Sequence, residues 1–205
     1  MEKNMSRDEI ISIVREAAEP VAASLGLSLW GIDVTPGPRT MVRVFVDGAV
    51  GNADGDAAAN AQGGVTVDQC AEISRLVGLA LDVEDIVPGA WVLEVSSPGF
   101  ERIFFSPGQM LPYVGRDVDV TLLDPHPGIS GRRKFRGPLR SVDGDIFTVE
   151  VLLAPQAGQD LRPVSVPIDW KMVKKAHLVH IFPEVSKPGG GKRPKDGARN
   201  GGRQG

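Results

Sequence analysis

An α+β domain followed by a small all-β barrel and a disordered basic tail is the architecture that the 205-residue sequence predicts. Three observations carry that expectation. Two helical segments each open on a capping-box spacing, three alternating strands are threaded between and after them, and from Val118 onward short strands follow one another closely with turn signals between.

The first helix opens at Ser6, with Glu9 three residues on, so that hydroxyl and carboxylate each satisfy an otherwise unpaired amide. Ile10, Val14, Ala17, Val21 and Leu25 then recur at steps of three and four as one buried stripe. Pro20 inside this pattern is expected to kink or split the helix, and Gly26 to end it in a left-handed conformation. Trp30–Val34 and Met41–Val46 alternate apolar and polar residues around Pro36-Gly37-Pro38, which reads as an antiparallel hairpin. Residues 48–64 are Gly, Ala, Asn and Asp with almost nothing to bury, and are read as a flexible insertion. Thr66 and Gln69 cap a second helix with Cys70, Ile73, Val77 and Leu81 on one face. After Pro88-Gly89 comes a third strand, Trp91–Val95. The order helix, strand, strand, helix, strand defines a first domain over residues 1–98.

Residues 99–114 are read as an interdomain linker and 115–183 as the barrel. Val118, Val120 and Leu122 alternate with polar residues. Residues 134–142 form one strand bent at Gly137-Pro138, and Asp143-Gly144 marks the hairpin to Ile146–Val151. Val164–Ile168 and Ala176–Ile181 are two further strands flanking a short turn, Asp169–Val173. Closure is expected because a barrel removes exposed strand edges. Residues 184–205, mostly Gly, Pro, Lys, Arg and Asn from Lys187 on, form the disordered basic tail.

A hydrophobic fraction of 41% is enough to build packed cores, and no apolar run approaches the ~20 residues of a membrane span. The polar start, Met1–Arg7, leads straight into a helix, so no secretory segment is expected. A single cysteine, Cys70, points to a reducing, cytoplasmic setting and is read as a small buried hydrophobe. The net charge of −3 conceals a gradient. Residues 1–106 hold 7 Lys+Arg against 16 Asp+Glu, a charge of −9; residues 107–186 hold 10 against 9; residues 187–205 hold 6 against 1.

No catalytic constellation is found. Ser96-Ser97-Pro98-Gly99 lacks the Gly-x-Ser-x-Gly pattern of a nucleophile elbow and reads as a rigid interdomain turn. Gly63-Gly64 lacks the lysine of a phosphate-binding loop. His126 lies in a Pro-flanked loop. His177 and His180, three apart on one strand, face opposite sides and share no metal. The protein is therefore expected not to be an enzyme and to need no cofactor or metal.

The chemistry that stands out is basic. Arg132, Arg133, Lys134, Arg136 and Arg140 fall within nine residues, and Lys171, Lys174 and Lys175 form a second group. If the barrel unites them, the patch attracts phosphates by counterion release, and arginine adds planar forks matched to phosphate oxygens. The plainer alternative is a solvated strand face. Phe135 alternates with Lys134 and Arg136 and should point inward, leaving no aromatic platform for stacking single-stranded bases.

Leu93-Glu94-Val95-Ser96-Ser97-Pro98-Gly99-Phe100-Glu101-Arg102 resembles the domain-junction signature of the bacterial ribosome maturation factor RimP family. Gly64–Cys70, Leu81–Asp85, Arg133–Leu139 and Val173–Val179 extend the resemblance collinearly over residues 6–182. The family usually has leucine and aspartate where Phe100 and Glu101 stand, and a shorter connection than residues 48–64. The resemblance implies that the barrel is SH3-like (Sm-like). It also implies a non-enzymatic factor for maturation of the small (30S) subunit. Its partners would be the immature small ribosomal subunit, its ribosomal RNA, and the small-subunit ribosomal protein near the decoding centre. No membrane partner is expected, and the chain should be a monomer in the cytoplasm. A different reading is a general Sm-like RNA-binding regulator, which would form rings and prefer uracil-rich RNA.

Overall fold

The computed structural model describes residues 5–48, 64–83, 87, 89–99, 101–129, 131–153 and 160–180. The expected insertion (beyond its end residues Gly48 and Gly64) and the expected tail, residues 184–205, lie outside the described residues.

Helix α1 spans Arg7–Ser24 and carries the full capping box at Ser6 and Glu9. It is one continuous helix with Pro20 inside, not two. Pro20 and Glu16, whose carbonyl loses its helical donor, both lie on the exposed side of the helix, where the lost bond costs least. The buried stripe is Ile10, Val14, Ala18 and Ala22; Ala17, Val21 and Leu25 flank it half-buried. Gly26 follows at φ +73°.

Strands β1 (Leu27–Thr35) and β2 (Thr40–Gly48) form the expected antiparallel hairpin. Helix α2 (Val67–Val83) is capped reciprocally: Gln69 N–H donates to Thr66 Oγ1 at 3.2 Å and Thr66 N–H to Gln69 Oε1 at 2.9 Å. Gln69 Nε2 also donates to Leu25 O at 3.1 Å, which ties the start of α2 to the end of α1. Strand β3 (Trp91–Ser96) pairs with β2 in parallel, completing a sheet of order β1-β2-β3. The helices bury one side of it over Ile32, Val34, Val42, Val44 and Val46. On the other side Arg43 bridges Glu94 at 2.8 Å and Asp33 at 3.6 Å.

The second sheet contains β4 (Ile103–Phe104), β5 (Asp117–Leu122), β6 (Lys134–Asp143), β7 (Ile146–Leu153), β8 (Arg162–Asp169) and β9 (Val173–Leu178), in the order β4-β9-β5-β6-β7-β8. A 3₁₀ helix, Pro107–Tyr113, precedes β5, and a second one, Trp170–Met172, joins β8 to β9. Segments 103–104 and 107–113 thus stand where a linker was expected, and Phe104 and Met110 are buried in the second core. Strand β6 pairs with β5 through its first half and with β7 through its second. The change of partner falls just after Gly137-Pro138, between Pro138 and Leu139, and Gly137 passes so close to the carbonyl of Glu150 that no β-carbon fits between them.

The expected closure is not formed: among the described residues the pairing runs open from β4 to β8. The edge of β8 explains this in part. Pro163 and Pro167 bring no N–H to it, and the carbonyl of Pro167 faces His126 Nε2 at 3.0 Å. The end of β9 also differs from expectation. Leu178, opposite Val118, is its last residue, and one further backbone bond, from Val179 N–H to Asp117 O at 2.8 Å, meets the first residue of β5. His180 therefore lies beyond the strand that was expected to carry both histidines, and Ile181 lies outside the described residues.

The two sheets meet through a bulge. In β1 the register steps from Leu29↔Val46 to Gly31↔Phe45, leaving Trp30 as the extra residue. Its indole packs against the second core, and its Nε1–H donates to Ile103 O at 2.7 Å. Gln109 completes the joint: its Oε1 accepts from Phe105 N–H at 2.7 Å while its Nε2 donates to Trp30 O at 2.6 Å. Arg102 lies 5.3 Å over the Trp30 ring and forms an ion pair with Asp47.

Candidate functional site

Strand β5 lies between β6 and β9, and its register decides which charges share a face. Thr121 stands opposite Lys134 on one side and Lys175 on the other; Asp119 stands opposite Arg136 and His177. Directly opposed residues project to the same side of a sheet. Lys134, Arg136 and Lys175 therefore occupy one outer face, with Val118, Val120, Leu122 and Phe135 buried beneath. Two strand spacings put the β6 and β9 backbones about 10 Å apart, and Lys134 and Arg136 follow each other at about 7 Å.

Four more candidates gather at one end of these three strands. Leu122 N–H donates to Arg133 O at 2.8 Å and Leu123 N–H to Met172 O at 2.8 Å, which brings the 131–133 segment and the 170–172 turn to the same end of β5. Lys174 is the extra residue of the irregularity between the Thr121 and Leu122 pairs, and it is exposed. Lys171 is the middle residue of the same turn, its N–H held by Asp169 Oδ1 at 2.9 Å.

The loop between β5 and β6 is fixed by His126. Gly128 N–H donates to His126 Nδ1 at 3.1 Å, so Nδ1 accepts and the ring hydrogen sits on Nε2, directed at Pro167 O. His126 stands edge-on to Phe135 with ring centroids 5.7 Å apart. Arg132 covers Phe135 from another side at 5.4 Å and donates from Nε to Lys134 O at 2.8 Å. Its guanidinium is thus held in place by an aromatic face and a carbonyl.

The eight candidates are not equivalent. Arg140 belongs to the second half of β6, at the bulge between Leu139 and Ser141, and its guanidinium is 2.6 Å from Glu150. That carboxylate pushes the Arg140 pKa further up, through a hydrogen bond first and charge second. Arg133 lies 3.6 Å from Asp124. Lys134, Arg136, Lys171, Lys174 and Lys175 have no ion-pair partner among the described residues, and all five are exposed. Spacing alone grouped Arg140 with the rest; only the bulge and its pairing with β7 separate it. Conversely, Asp119, Thr121 and His177 belong to the cationic face, and their alternation with the buried Val118, Val120, Leu122, Ala176 and Leu178 was the available signal.

Cys70 is half-buried on α2, and burial pushes its thiol up, away from the reactive thiolate. No group of three or more His, Cys, Asp or Glu residues suited to a metal ion occurs among the described residues. No helix among them is long and apolar enough to cross a membrane.

Residues 17–101 match the family model described as the RimP N-terminal domain. A protein of Nitratidesulfovibrio vulgaris (strain DP4) named ribosome maturation factor RimP is 49% identical over 182 residues, covering 88% of this chain and 96% of its own. Its namesake from N. vulgaris (strain DSM 19637 / Miyazaki F) is 45% identical over 220 aligned residues, covering 96% of each chain. Another of that name, from Lawsonia intracellularis, is 37% identical over 185 residues, covering 89% and 93%.

Proposed function

Because the chain belongs to the ribosome maturation factor RimP family, we propose that it acts in maturation of the small (30S) ribosomal subunit as a non-enzymatic RNA- and protein-binding factor. The observation that carries this reading is the outer face of β6, β5 and β9, where Lys134, Arg136 and Lys175 stand exposed without ion-pair partners among the described residues. Such a face binds phosphate backbones by counterion release, positions them, and reads little sequence. Arg132, Arg133, Lys171 and Lys174 extend the face at one end of the same strands, whereas Arg140 contributes least, being paired with Glu150.

The partners we infer are the RNA of the immature subunit and, beside it, a basic ribosomal protein near the decoding centre. The acidic first part of the chain, −9 over residues 1–106, suits the latter. The site of action is the cytoplasm. We read the chain as two domains, the second an SH3-like (Sm-like) arrangement of strands left open between β4 and β8. The consecutive pairing of β5, β6, β7 and β8, the return of β9 to β5, and the change of partner within β6 after Pro138 support that reading. A monomer is favoured over a Sm-like ring because the prolines and His126 occupy the β8 edge that ring neighbours would need.

Sucrose-gradient fractionation of growing cells tests the proposal. Enrichment with free small subunits and absence from translating ribosomes is expected; a position at the top of the gradient overturns it. Arg133→Glu combined with Lys134→Glu should weaken the association, and unchanged co-sedimentation at moderate salt would remove the basic face from the account.

A further inference from the structure

The open sheet edges are treated unequally. On β1, Arg7 Nε donates to Val34 O at 2.9 Å and Gln109 Nε2 to Trp30 O at 2.6 Å, so side chains cap its outer carbonyls. The β8 edge carries Pro163, Pro167 and the His126 contact. Strand β4 is two residues long. These are the usual devices that keep an edge from pairing with another chain.

Strand β3 has none of them. It pairs with β2 on one side and has no partner on the other among the described residues. It contains neither proline nor lysine, and its one charge, Glu94, is held by Arg43 at 2.8 Å. Its core side is also unfinished. Trp91, Leu93 and Val95 are half-buried, although Val42 and Val44, opposite Leu93 and Val95, are both 0% exposed. An added strand would take up the free main-chain groups and cover those three side chains.

We propose that the free edge of β3 receives an extended, positively charged peptide segment of a partner protein. Strand addition fits because main-chain hydrogen bonds supply affinity while alternate side chains meet alternate neighbours. Apolar residues of the incoming strand lie beside Trp91, Leu93 and Val95. The positive charge follows from the −9 of residues 1–106, whose field favours a cationic segment and disfavours an anionic one.

The experiment uses the full chain, isotopically labelled, with an octapeptide of alternating lysine and valine as probe and its glutamate–valine counterpart as control. With the lysine peptide, amide resonances of residues 91–96 are expected to shift, and alternate amides there to exchange roughly tenfold more slowly. The β8 amides should not change, and the glutamate peptide should do little. Equal effects of both peptides, or shifts confined to other strands, overturn the proposal. So does slow exchange at β3 before any peptide is added, which would mean that the chain covers its own edge. Protection that rises with protein concentration alone, with a dimeric mass, assigns the edge to a second copy instead.

Discussion

The ring of Phe105 occupies the space into which a β-carbon on Gly31 would project. The glycine belongs to β1 and the phenylalanine follows β4, so the contact joins the two sheets; Phe45 flanks it, its ring centroid 5.7 Å from that of Phe105. Glycine is needed here for close approach, not for an unusual backbone angle. Gly31→Ala should cost about 1–3 kcal/mol through overpacking, measured by urea denaturation. Combining it with Phe105→Ala should restore part of that loss, so the double-mutant cycle is non-additive. Additive losses would show that the two residues are not in contact.

Gly137 makes the same kind of contact with backbone as its neighbour. A side chain there meets the carbonyl of Glu150, which has no rotamer to adopt. Gly137→Ala should therefore destabilise by at least about 2 kcal/mol, more than Gly31→Ala. The check is the thermal midpoint, which should fall further than that of any other single glycine-to-alanine change in β6 to β9. A shift within error would mean that β6 and β7 separate more easily than their register implies.

Among the basic residues, position outranks sequence proximity. Lys134→Glu, Arg136→Glu and Lys175→Glu should each weaken small-subunit association and lower its dependence on salt by about one unit of logarithmic slope per lost phosphate contact. Arg140→Gln should leave binding close to that of the unmodified chain, because its charge is already met by Glu150. Co-sedimentation across a salt series distinguishes them. Equal effects at Arg140 and Arg136 would mean that the face is not the determinant.

Burial raises the pKa of Cys70 in the folded chain above its ordinary value. The folded protein then holds that proton to higher pH than the unfolded one, so this group's contribution to stability declines as pH rises between the two values. Alkylation by iodoacetamide should accordingly be slower than for an unfolded control at mildly alkaline pH and converge with it on denaturation. Faster alkylation in the native state would contradict the burial.

Much of the framework was legible because its causes are local. The capping pairs Ser6/Glu9 and Thr66/Gln69, the Asp143-Gly144 turn and the alternation of Val118, Val120 and Leu122 each announce themselves within a few residues. The joint between the sheets does not. Trp30 meets Ile103 and Gln109 across more than seventy positions, and the bulge that frees it leaves the alternation of β1 looking ordinary. Strand β4, at two residues, is too short to carry a period. The basic residues were visible as a group, but their division depended on which strand each half of β6 joins. The capped β1 edge and the open β3 edge have no local signature, since a free edge is a property of what lies beside a strand.

The three tryptophans have been sorted by the fold into three separate jobs. Trp30 sits under Arg102 at the joint, Trp91 begins the open strand, and Trp170 packs edge-on to Phe147 with ring centroids 6.1 Å apart. The molecule thus carries its own fluorescent gauge in each region. Replacing two of the three by phenylalanine leaves a single emitter that reports on the joint, the open edge or the second core alone.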